Sequence, residues 1–315
     1  VTSEYMKTCD IMIPTQKKRN HKHAYLAVFD NQKWVPICYG TQKGKVCYFN
    51  EIGKDIAYLP LYYDNQGIHP ITDPFILDSR GRIKYLHADT SKRKKVILSR
   101  KYYLAKHIFD YAKTLTGGHF EASNNPDFSD PDTIHTISHW LLSADSFEIK
   151  PQKTYRYWRY VSAKNKGCNL AELAFYSDKE EKELTGTIIG TNASVRYDTM
   201  PMDKSKVFDK DILTYYEAPS TVDYPWVGLD FNKPVSINKI IYTPRNDDNN
   251  IHAGDLYELF YWEYNHWMSL GQQRAIESKL TYTNVPDNAL LLLKDLTKGE
   301  EERIFTYEND KQVWW

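Results

Sequence analysis

The feature that most constrains this chain is its rhythm: short apolar and aromatic runs, each closed by a turn signal after about ten residues. Residues 24–29 are apolar and end at Asp30-Asn31, residues 34–39 lead to Lys43-Gly44, and residues 46–49 follow. Residues 56–63 end at Asp64-Asn65-Gln66-Gly67, and residues 75–77 run into Asp78-Ser79-Arg80-Gly81. Ile83, Tyr85 and His87 alternate with polar residues, the period-two pattern of a half-buried strand, and residues 96–98 close the set. This spacing predicts an all-β chain built as sandwiches. Pro60, Pro70 and Pro74 lack an amide donor and mark strand ends or edges.

With 315 residues there is room for two or three ordinary domains, and 41% hydrophobic with 26% charged residues fits a soluble globular chain. Lys+Arg and Asp+Glu are 41 each, so no basic excess exists to meet nucleic-acid phosphates. The 25 Tyr and 8 Trp favour strands and suit sugar stacking or protein interfaces, although most are expected in sheet cores. The apolar run at residues 289–293 is far too short to span a bilayer and reads as a buried strand, so no membrane insertion is expected. The first residue is Val, without the basic start and apolar stretch of a signal peptide, which reads as a mature or trimmed fragment. Cys9, Cys38, Cys47 and Cys168 have no metal spacing. A turn centred between Gln42 and Lys43 would set Cys38 opposite Cys47. They would then form a cross-strand disulfide in an oxidising compartment or remain buried thiols.

Residues 106–114 read as a strand or a short helix, and residues 124–132 as a polar loop. Strands are expected near residues 133–137, 147–149, 155–161 and 170–176. A strand, a Lys/Gly turn and a second strand recur between residues 154–178 and 287–310, a faint internal repeat. Residues 103–180 then form either a partial separate copy or strands donated to the later copy.

Four stretches carry a family resemblance. RYWRYVSAKNKGCNLAELAFY (residues 156–176) resembles the closing strands of the discoidin or coagulation-factor C-type, galactose-binding-like family. FDKDILTYY (208–216), PWVGLDFNKPVSINKIIYTPRNDD (225–248) and YELFYWEYNHWMSLG (257–271) resemble its opening and middle strands. The strand order of the first third resembles transthyretin-like modules. The resemblance implies a transthyretin-like sandwich at residues 1–102, a partial discoidin-like repeat at 103–180 and a discoidin-like jelly roll at 181–315. It resembles the non-catalytic C-terminal regions of large secreted or surface bacterial proteins that carry a transglutaminase-like or glycan-degrading domain upstream. Expected localisation is therefore extracellular, periplasmic or cell-surface.

Two sites follow from the resemblance. The first is a structural calcium held by Asp209, Asp211 and Thr214, with Lys210 at the position of the family's Gly. The closing Glu is present as Glu172 in the first copy; in the second, Arg303 falls at the equivalent place with Glu302 beside it, and Glu302 completes the expected set. The bland reading is a loop of self-capping Asp side chains. The second site is a ligand face at one end of the jelly roll: Arg245, Asn246, Asp247, Asp248, Asn250 and His252 for sugar hydroxyls, with Trp226 and Trp262 for ring stacking. Its competitor is a salt-bridged turn that holds the sheet ends. No Gly-rich phosphate loop, His-Glu-x-x-His helix or Gly-x-Ser-x-Gly elbow occurs. Pairings of Cys38 or Cys168 with His69 or His139 rest on nothing that places them together. His135 and His139 are assigned surface or packing roles. The expectation is a non-enzyme that recognises a glycan or glycoprotein; the alternative is a spacer or docking module for an upstream catalytic domain.

Overall fold

The computed structural model describes residues 7–15, 23–150, 153–177, 180–193, 202–219, 221–299 and 301–315. Their contacts divide the chain into one unit of residues 1–103 and 251–315 and a second of residues 104–250. This differs from the three successive segments expected from the sequence.

Unit 1 opens with β1 (Thr8–Pro14), β2 (His23–Asp30), β3 (Lys33–Lys43), β4 (Val46–Gly53), β5 (Ile56–Asp64), β6 (Gly67–Pro70), β7 (Phe75–Leu77) and β8 (Ile83–Tyr85). These form one antiparallel sheet in the order β1-β4-β3-β2-β5-β7-β8, with β6 on β5. Ile13, Leu26, Phe49, Tyr58 and Phe75 fill one side of it. The turn between β3 and β4 sits at Gly44, whose φ is +63°. Gln42, not Cys38, therefore faces Cys47, while Cys38 faces Leu26. The cross-strand disulfide is excluded by this register, and Cys9, Cys38, Cys47 and Cys168 form no disulfide. Burial pushes the Cys38 thiol up from its ordinary value.

The chain continues through β9 (Asp89–Leu98) into unit 2. There α1 (Lys106–Lys113) settles the strand-or-helix alternative: Ile108 and Ala112, four residues apart, bury one face. The strands are β10 (His119–Ser123), β11 (Asp132–Thr136), β12 (Asp145–Glu148), β13 (Tyr155–Val161), β14 (Leu170–Ser177), β15 (Glu180–Glu183), β16 (Thr187–Gly190), β17 (Trp226–Val235) and β18 (Lys239–Pro244). A five-stranded sheet, β11-β10-β13-β17-β16, faces a four-stranded sheet, β12-β18-β14-β15. Phe120, Trp158, Tyr160, Leu173, Phe175, Leu229 and Ile240 form the core. Residues 156–176 and 225–248, two of the stretches that carry the resemblance, meet in this sandwich, since β13 pairs with β17 and β14 with β18, whereas residues 257–271 lie in unit 1. Residues 103–180 are thus donated strands rather than a separate copy. The faint sequence repeat divides between the units, with residues 154–178 in unit 2 and residues 287–310 in unit 1.

The chain returns to unit 1 as β19 (Leu256–Glu263), β20 (His266–Arg274), β21 (Leu280–Asp287), β22 (Leu291–Asp295), β23 (Ile304–Glu308) and β24 (Lys311–Trp314). The sheet order is β20-β19-β22-β23-β24, and β21 pairs with β9. The leucine run is a strand buried on both sides. Leu290 and Leu292 enter one cluster with Phe29, Leu59 and Trp262, while Leu291 and Leu293 enter another with Val96, Tyr257 and Tyr282. Successive side chains alternate faces, so a strand covered on both reads as an unbroken apolar run. Residues 1–102 alone are therefore not a complete sandwich. At the junction, the Ile251 amide donates to the Ser99 carbonyl at 3.1 Å, so the chain leaves and re-enters unit 1 at neighbouring points.

Candidate functional site

The polar loop after β18 is organised around Arg245. Its guanidinium lies 3.6 Å from the centre of the Tyr215 ring and 3.8 Å from that of Tyr111, and 3.5 Å from Glu217 Oε2. A guanidinium between two rings gains cation–π attraction on both faces. Downstream, Asn246 Nδ2 donates to the Pro244 carbonyl at 2.7 Å, and the Asp248 amide donates to Asn246 Oδ1 at 2.8 Å. The Asn249 amide donates to Asp247 Oδ1, and Asn250 Nδ2 to the Leu142 carbonyl. Asn246, Asp248, Asn249 and Asn250 are buried. These are the self-bonding Asx motifs of a loop that holds its own shape. Tyr111 and Glu217 went unread in the sequence; Tyr215 is adjacent to Thr214 in the motif that was read.

The remaining members of the expected ligand face divide between the two units. Trp226 opens β17 with its ring 5.6 Å from Phe128 and 4.9 Å from the Arg159 guanidinium. His252 and Trp262 belong to unit 1. The Trp262 indole is only 6% exposed, with Trp34 and Trp267 packed edge-on against it, so it offers no face for stacking. The His252 amide donates to the Tyr257 hydroxyl.

The expected metal loop follows a 3-10 helix, Lys204–Phe208. The Thr214 hydroxyl lies 2.9 and 3.0 Å from the two Asp209 oxygens and 3.1 Å from the Asp211 carbonyl. Asp211 turns its carboxylate to the Leu213 amide, so its main-chain oxygen, not its side chain, faces Thr214. Lys210 adopts φ +64°, the left-handed conformation for which glycine is better suited. Its ammonium reaches out to Glu183 at 3.3 Å, while Lys206 Nζ binds Asp209 Oδ2 at 3.1 Å. Burial raises the Asp209 carboxyl, but the Asp211 amide, Lys206 and Thr214 outweigh it and hold the group below its ordinary value.

Glu172 on β14 completes this group. Its carboxyl is pushed up to about 7, first by burial, then by the negative charge of Asp209 and a hydrogen bond shared with it, and then by the charges of Glu183 and Asp211. Its Oε1 is enclosed without a hydrogen-bond partner among the described residues. An orphaned buried carboxylate oxygen beside an aspartate, a hydroxyl and a carbonyl is a hard-oxygen environment that fits a calcium ion. Among the described residues, no three His, Cys, Asp or Glu side chains gather in a metal-binding arrangement. A calcium site here would draw on hydroxyl and main-chain oxygens beside its carboxylates. Glu302 does not belong to it. It lies in unit 1, where its Oε1 accepts from the Asp295 amide at 3.1 Å.

The histidines and cysteines form no reactive pair among the described residues. His135 stacks on Phe147 at 4.1 Å, and burial lowers its affinity for a proton. His139 lies 4.0 Å from Asp145, His69 binds Asp64, and the buried Cys168 thiol donates to the Pro225 carbonyl. No described helix is long and apolar enough to cross a membrane.

No family model matches this chain, and no curated protein matches it. Among solved structures it is similar to the chicken CNTN1 FN1–FN3 domains over 99% of this chain and 95% of that one, at 7% identity and a TM-score of 0.17. A likeness at that score carries no argument about fold or function.

Proposed function

We propose that this chain is a non-catalytic structural spacer or protein-docking protein, supporting a catalytic domain upstream in a longer secreted or surface parent. The observation that carries this reading is the condition of the loop at residues 245–250. Its arginine is committed to Tyr111, Tyr215 and Glu217, and four of its side chains are buried. A rim meant for sugar hydroxyls would leave such groups open to solvent. On this reading unit 2 has the galactose-binding-like fold of discoidin-type domains, and β1–β8 carry the transthyretin-like likeness. Glu172, Asp209, Thr214 and the Asp211 carbonyl hold a structural calcium that ties β14 to the Asp209–Thr214 loop. In that loop Lys210 takes the positive φ of the family's Gly.

Recognition of a glycan or glycoprotein is the second reading, and a different surface favours it. Tyr39 is 72% exposed and stands opposite Tyr25 in the sheet, with His23 edge-on to Tyr39 and Tyr63 edge-on to Tyr25. Aromatic faces with polar tips are the usual means of stacking sugar rings. A glycan array probed at high protein concentration, with and without calcium, separates the two. The spacer reading expects no bound sugar. Binding that is lost in Tyr39→Ala and kept in Arg245→Ala overturns it. Arg245→Ala is expected to destabilise unit 2 by about 1–3 kcal/mol through the lost ring and carboxylate contacts.

A further inference from the structure

Unit 1 contains an ion pair entirely shut off from water. Lys101 Nζ lies 3.1 Å from Asp295 Oδ2, and both side chains are 0% exposed. Lys101 follows β9, and Asp295 ends β22. Asp295 is rigidly held: its Oδ1 accepts the Thr297 and Lys298 amides at 2.9 and 3.0 Å. Glu302 stands over the same pair. Its Oε1 accepts the Asp295 amide at 3.1 Å, and its Oε2 is enclosed without a hydrogen-bond partner among the described residues. Burial raises the Glu302 carboxyl against the pull of Lys294 and Lys101, so it holds a proton more readily than an exposed glutamate.

We propose that Lys101 and Asp295 are joined by an intramolecular isopeptide bond, formed without any other enzyme, with Glu302 as the proton-transfer group. Two observations carry this: the amine and carboxylate are in contact inside a dry core, and a third carboxyl with an unused oxygen adjoins them. A buried ion pair bears the desolvation of two charges, which a neutral amide removes. Fixed proximity supplies the effective concentration that the condensation lacks in water.

The step balances within the three residues. Glu302 gives its proton to the Asp295 carboxylate and takes one from the Lys101 ammonium, which frees the amine lone pair. Nζ attacks Cγ, a C–N bond forms and one C–O bond breaks. The departing oxygen leaves as water with two of the three ammonium protons, and Glu302 ends as it began. No oxidant or cofactor is consumed. The bond would tie the N-terminal and C-terminal segments of unit 1 together across the whole of unit 2 in the sequence.

Intact-mass spectrometry of the purified full chain tests this directly. The expected mass is one water below that of the sequence, with a branched proteolytic peptide joining the Lys101 and Asp295 segments. Wild-type protein at the full sequence mass, with those segments released separately, overturns the proposal. Glu302→Gln, confirmed as folded by circular dichroism, is expected to keep the full mass. A cross-link that forms in that variant as completely as in wild type removes Glu302 from the step. Asp295→Ala should show the full sequence mass whether or not it folds.

Discussion

Glu172 sets how unit 2 responds to pH. In the fold its carboxyl ionises near 7, above the 4.5 of an ordinary glutamate. The folded state therefore keeps a proton that the unfolded chain has already released in that window. Its contribution to stability is full below the ordinary glutamate value and falls as pH climbs toward 7. A bound calcium would replace the proton and reverse that loss. Thermal melting of the full chain should show a calcium-dependent rise that is small at about pH 5 and larger at about pH 8. Asp209→Ala should remove the rise; a pH-independent rise takes Glu172 out of the site, and a rise retained in that variant takes Asp209 out of it. Asp209, Asp211 and Thr214 were legible as a hard-oxygen loop because their spacing is local. Glu172, which the structure sets beside that loop, was legible only as the closing Glu of a first copy and not as a neighbour of the loop, because it lies 37 positions before Asp209 in the sequence. Arg245 was legible as a polar landmark but not as a locked one, because Tyr111 lies 134 positions away in the sequence.

At the scale of elements, strands were readable wherever one short run carried both its apolar pattern and its closing turn. The runs at residues 46–49, 75–77 and 155–161 fall within β4, β7 and β13. Pairing was less readable. The ribbon of β9 with β21 joins segments far apart in the chain, and no local signal announces such a partner. Turn placement also mattered: a turn at Gly44, later than the sequence suggested, was enough to move Cys38 away from Cys47. The seam between β13 and β17 depends on a missing side chain. A Cβ on Gly228 would stand 2.0 Å from the Trp158 carbonyl and 2.7 Å from the Arg159 Cα, both main-chain atoms that cannot swing aside. Gly228→Ala should therefore cost about 2–3 kcal/mol in urea unfolding of unit 2. A loss below about 0.5 kcal/mol would mean that the two strands are not in this register.

For the whole molecule, the sequence reading divided the chain into consecutive pieces, whereas unit 1 closes around an insertion. Composition and turn rhythm are the same on both sides of residue 250, so nothing local marks the return to unit 1. The Ile251–Ser99 hydrogen bond makes that return a short crossing. Replacing residues 104–250 by a short Gly/Ser linker should leave unit 1 folded, with one cooperative melting transition and the circular dichroism of a β-protein. Collapse of the excised variant into aggregate would mean that the two units are not independent. If unit 1 does survive, its exit and return points amount to a socket. Guests of very different length could occupy it at little entropic penalty, because the ends they must span are already side by side. A lineage of such proteins would then be free to exchange the inserted module while keeping the host unchanged.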